Sequence, residues 1–61
     1  MNKAMLQTAF DSARKALSNL QFARLQAKSA GVTHNYESGW IETCITTYIS
    51  QLEGELKNAK S

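Results

Sequence analysis

The sequence predicts an all-α fold: an antiparallel two-helix hairpin that dimerises into a four-helix bundle. Two stretches carry apolar residues at helical spacing, and a short run of turn formers separates them. The third observation is size, since two helices bury one stripe each and a lone hairpin leaves the outer part of both stripes wet.

The first helix is expected over residues 3 to 29. Read at about 100° per residue, Met5, Leu6, Ala9, Phe10, Ala13, Ala16, Leu17, Leu20, Ala23 and Ala27 share one arc. Its interior has no glycine or proline and is rich in residues that lose little on entering a helix. Gly31 suits a left-handed helix ending, with Val32 placed to fold back on Ala27 and Lys28 favourable for the terminal dipole. Residues 31 to 37, G-V-T-H-N-Y-E, form the connection, and Asn35 or Ser38 caps the second helix.

That second helix is expected over residues 38 to 59, because Ile41, Ile45, Tyr48, Leu52, Leu56 and Ala59 recur at spacings of three and four. Cys44, read as a small buried hydrophobe, and Ile49 flank that stripe. The β-branched run T-C-I-T-T-Y-I would suit a strand, but the helical spacing outruns it and no second strand is available to pair with it. Gly54 is costly inside a helix and suggests a close backbone approach. Leu6, Ala9, Ala13, Ala16, Leu20 and Ala23 of helix one are read as oligomer packing, together with Ile41, Ile45, Tyr48, Leu52 and Leu56 of helix two. The alanines, every seven residues, admit a neighbouring helix closely.

The folding balance agrees with pairing. A chain of 6.8 kDa exposes roughly 9,900 Å² unfolded and roughly 4,000 Å² as a compact globule. Burial then returns on the order of 90 kcal/mol, and ordering the chain costs nearly the same. One cysteine closes no internal disulfide, and one cysteine with one histidine makes no four-ligand zinc site, so no cofactor or metal is expected and oligomerisation is left. The lone thiol, the absence of a secretory leader at Met1-Asn2-Lys3-Ala4-Met5-Leu6 and the lack of a membrane span suit a cytoplasmic location.

Catalysis finds no machinery. Cys44 and His34, the only nucleophile and base, are ten residues apart across a helix start, and Glu53 and Glu55 diverge by about 200° on a helix. The expectation is a non-enzymatic chain. Charge says more: Lys3, Arg14, Lys15, Arg24 and Lys28 against Asp11 give +4 through residue 30, and the remainder carries −2. Lys3, Gln7, Arg14 and Lys28 form a strip about 37 Å long that could track a phosphate backbone. Arg24 instead lies inside the apolar arc, level with Cys44 and within about a turn of Glu42 across the hairpin, and is expected to form an ion pair within or between subunits. Phe22 and Leu25 point away from the first stripe. With Tyr36 and Trp40 they are expected to form an apolar patch at the turn end, a candidate surface for a protein partner.

Lys3, Gln7, Phe10 and Arg14 on a hairpin of this length resemble the Rop-type plasmid RNA-binding proteins. That resemblance implies dimerisation as a four-helix bundle and RNA binding by the first helix. The loop T-H-N-Y-E-S followed by I-x-x-x-I-x-x-Y-I-x-x-L-E is similar to small early-region proteins of lambdoid temperate phages. This second resemblance implies an accessory protein that modulates host or phage processes by binding a host or phage protein.

Overall fold

The computed structural model describes residues 2–59, which form two helices, α1 over Lys3–Ser29 and α2 over Tyr36–Asn58, and no strand. The helices pack antiparallel as a hairpin that is a rod, 48 × 17 × 11 Å. Its radius of gyration is 14.4 Å, against about 10.5 Å for a compact domain of this length.

Each boundary has a local cause. The Asn2 side chain accepts a hydrogen bond from the Met5 N–H at 3.0 Å and starts α1. At the far end the Val32 N–H donates to the Ala27 carbonyl at 2.9 Å and the Gly31 N–H donates to the Lys28 carbonyl at 3.1 Å. This is the Schellman pattern expected from the sequence, and Gly31 adopts the positive φ of 99° that it requires. Asn35 caps α2 by accepting from the Ser38 N–H at 2.8 Å, while the Ser38 hydroxyl donates back to the Asn35 carbonyl at 2.9 Å. The helix therefore begins at Tyr36, two residues earlier than expected, and Tyr36 and Glu37 belong to its first turn. Glu37 there and Lys57 at the other end both complement the helix dipole.

The seam between the helices follows a heptad. On α1 it runs through Leu6, Phe10, Ala13, Leu17, Leu20, Arg24 and Ala27, and on α2 through Ser38, Glu42, Ile45, Ile49, Leu52 and Leu56 to Ala59 at its C-cap. All fourteen are at least half-buried, but only Leu6 and Leu52, at 8% and 7% exposure, are buried outright. Arg24 fixes the register. Its Nε lies 3.1 Å from the Glu42 carboxylate and its Nη1 donates to the Ser38 carbonyl, so one side chain ties α1 to two successive turns of α2. Counting outward from that tie sets Leu20 opposite Ile45, Leu17 opposite Ile49 and Phe10 opposite Leu56.

This phase divides the expected apolar stripes between the seam and the surface of the hairpin. Ile49, expected at the flank, lies in the seam, whereas Ile41, Tyr48 and Cys44 stand outside it and are exposed. Ala16 and Ala23 are likewise exposed, because Leu17 and Arg24 take the inward positions beside them. Gly54 meets nothing: a Cβ built there has no neighbour within 4 Å, so no backbone approaches it within the hairpin.

Gly54→Ala should stabilise the chain by about 0.5 to 1 kcal/mol, read from the urea midpoint of the helical circular dichroism signal. Arg24→Ala should cost about 1 to 2 kcal/mol, since it strips hydrogen bonds from Glu42 and the Ser38 carbonyl. A double-mutant cycle with Glu42→Ala should return a coupling of about 1 kcal/mol. Additive single effects would mean that the pair does not set the register.

Candidate interaction surfaces

An antiparallel pair has a local two-fold axis perpendicular to the plane of the hairpin, so equivalent heptad positions of α1 and α2 emerge on the same broad face. Two different faces result. On the first, each residue that precedes an alternate seam position emerges: the half-buried Ala9 and the exposed Ala16 and Ala23 before Phe10, Leu17 and Arg24, and Ile41, Tyr48 and Glu55 before Glu42, Ile49 and Leu56. Ile41 is 46% and Tyr48 51% exposed, and Cys44 and Met5 border them. This face is apolar from the turn end as far as Tyr48 on α2, and Glu55 closes it toward the open end. One half is lined by small residues and the other by bulky ones.

The opposite face is polar. Gln7, Arg14 and Lys28 emerge there from α1, on one line with Lys3 at its end, and Thr46 and Glu53 emerge from α2. Contacts border the strip. Gln7 donates to the Asp11 carboxylate at 3.0 Å, the Arg14 guanidinium stands 5.7 Å from the centre of the Phe10 ring, and Glu53 pairs with Lys57 at 3.3 Å. The strip from Lys3 to Lys28 therefore lies along a single face as four separated residues, with carboxylates beside it.

The four residues expected to form one turn-end patch fall into two pairs. Phe22 stands two residues before Arg24, which faces α2, and a step of two turns a side chain by about 200°, so Phe22 points away from α2. Trp40 stands two residues before Glu42 and by the same step points away from α1. Phe22 and Leu25 thus occupy the outer edge of α1, and Tyr36 and Trp40 the outer edge of α2. All four are exposed.

The α2 pair is organised. The Tyr36 and Trp40 rings meet edge to face, with centres 5.8 Å apart and planes at 79°. Gly39 and Thr43 complete a shallow apolar recess beside them. Gly39 leaves the floor open, since a Cβ there would meet nothing within 4 Å. Sequence reasoning named both aromatics but missed Gly39 and Thr43; the signal was the spacing of 36, 39, 40 and 43 along one helix face.

Among the described residues, no three His, Cys, Asp or Glu side chains come together as a metal site, and neither helix is long and apolar enough to cross a membrane. His34 is half-buried in the connection, and the Cys44 thiol is exposed on α2 rather than buried. No protein-family model, curated protein or solved structure matches this chain.

Proposed function

We propose that the chain is a non-enzymatic interaction module, a helical hairpin that pairs with a second copy and offers its remaining exposed apolar side chains to another protein. One observation carries this reading. Phe22, Leu25, Tyr36, Trp40, Ile41 and Tyr48 all lie on the surface, and among the described residues only two leucines are buried. A small monomer seldom leaves so much apolar surface in water unless something covers it. The total surface supports the same reading, 4785 Å² against the about 4,000 Å² of a compact globule of this mass.

The best-formed surface for a protein partner is the Tyr36–Trp40 pair with its recess. Its rings already meet edge to face, so a partner that docks there finds the two aromatics side by side. Aromatic side chains in recesses also supply a large share of binding energy at protein interfaces. Trp40 is the sole tryptophan and reports its own environment.

A second reading, nucleic-acid binding, is favoured by the alignment of Lys3, Gln7, Arg14 and Lys28 on the polar face. Three cations imply a shallow salt dependence, a slope of log affinity on log salt of about −2 to −3.

Trp40→Ala with Tyr36→Ala should abolish capture of a specific protein from the native cell while leaving helicity intact, and Trp40 emission should shift to the blue when that purified protein is added. Capture that survives this double variant and is lost with Phe22→Ala and Leu25→Ala would move the site to the outer edge of α1. Tight binding of RNA at low salt, abolished by Arg14→Ala and Lys28→Ala, would favour the second reading.

A further inference from the structure

We infer that the apolar face bearing Ala9, Ala16, Ala23, Ile41 and Tyr48 seats a second copy of this chain, with α1 of each copy lying along α2 of the other about a two-fold axis parallel to the helices. This rests on the self-pairing part of the function proposed above and adds the face, the symmetry and the neighbours.

Shape is the first argument. The face is divided lengthwise into the alanines of α1 and the bulky Ile41 and Tyr48 of α2. A two-fold axis along the rod carries the α1 half of one copy over the α2 half of the other. Bulky residues then seat on small ones, and the helices can approach toward the lower end of the 8 to 10 Å range. An axis across the rod would set alanine on alanine and Tyr48 on Tyr48, leaving a gap on one side and a clash on the other.

Charge gives the same answer independently. Helix α1 carries Lys3, Arg14, Lys15, Arg24 and Lys28 against Asp11, while α2 carries Glu37, Glu42, Glu53 and Glu55 against Lys57. With α1 over α2, every helix of the four has unlike neighbours. With α1 over α1, two strongly basic helices would lie side by side.

The area is sufficient. A face of 48 by 17 Å is about 800 Å², the about 800 Å² that each partner contributes to an interface of standard size. The outer edges with Phe22, Leu25, Tyr36 and Trp40 stay free in this arrangement.

The register follows from the Arg24–Glu42 tie. A two-fold axis along the rod preserves height, so Ala23 of one copy lies level with residues 43 and 44 of the other, beside the exposed Cys44.

Sedimentation equilibrium of the full chain across micromolar concentrations should show a dimer, and Ile41→Ser with Tyr48→Ser should weaken it by roughly tenfold or more. Because both side chains are exposed in the hairpin, circular dichroism of the variant at high concentration separates lost pairing from lost folding. The arrangement itself is read by cross-linking. A chain carrying Ala23→Cys and Cys44→Ser, mixed with the unaltered chain and oxidised with copper phenanthroline, should give a disulfide-linked heterodimer. A chain that stays monomeric at all concentrations overturns the inference, as does one whose Ile41 and Tyr48 serve only to capture a different protein. A dimer that survives the double substitution, or one that forms no such cross-link, overturns the face or the symmetry while leaving the interaction reading intact.

Discussion

Everything distinctive about the surface of this hairpin depends on the tie between Arg24 and the first two turns of α2. Two amphipathic helices can slide or roll past each other with little change in buried apolar area, because Leu, Ile and Ala side chains are forgiving of small offsets. A guanidinium held by both the Glu42 carboxylate and the Ser38 carbonyl is not, since its donors lie in one plane at fixed angles. Once those positions face inward, the heptad fixes the rest of the seam, and the residues one step earlier emerge together on one side. The tie's worth in stability is modest because both partners remain partly wet. Its larger effect is to select one alignment among several of similar apolar content, the role best attested for polar groups placed in a helical seam.

Much of this was legible in the sequence, and the parts that were not share one cause. Helix α1 came out with its expected bounds, the Gly31 reversal was readable from residue type and position, and the structure selects Asn35 over Ser38 as the cap and the intrachain Glu42 as the partner of Arg24. The phase of the helices about their own axes was harder to read. The apolar arc of α1 is broad enough that Ala16 or Leu17, and Ala23 or Arg24, compete for the inward position, and hydropathy favours the wrong member of the second pair. On α2 the inward line opens with Ser38 and Glu42, so Ile41 looked like the start of the stripe. That shift in phase leaves Cys44, expected to be buried, on the surface of the hairpin, together with Ile41 and Tyr48 of the expected oligomer packing. The same geometry divided the four turn-end residues, since Phe22 and Trp40 each stand two positions before a member of the ion pair.

The resulting molecule separates its tasks by face. The seam contains a thin apolar line that gives way to the Arg24–Glu42 tie beside the turn, and the remaining apolar side chains are distributed over one broad face and two outer edges. A rod of two helices has little interior at any length, because each added turn contributes new surface as fast as new seam. Such a chain gains most by association along its length, which leaves the edges and the turn end for other contacts. The edge of α2, where the aromatic pair sits, and the broad apolar face do not compete for the same residues.

The position of the ionic tie also bears on how the chain comes to fold. Arg24 and Ser38 are 14 residues apart, whereas Leu6 and Ala59 at the open end are separated by nearly the whole chain. Closing the shorter loop costs about 1.2 kcal/mol less conformational entropy. The Schellman reversal and the Asn35 cap shorten the search further by setting the direction of both arms beside the turn. Assembly is therefore favoured from the turn outward, each heptad layer closing on the one before it, in the manner of a zipper whose first teeth are charged. Contacts so local in sequence place the hairpin among the fast folders.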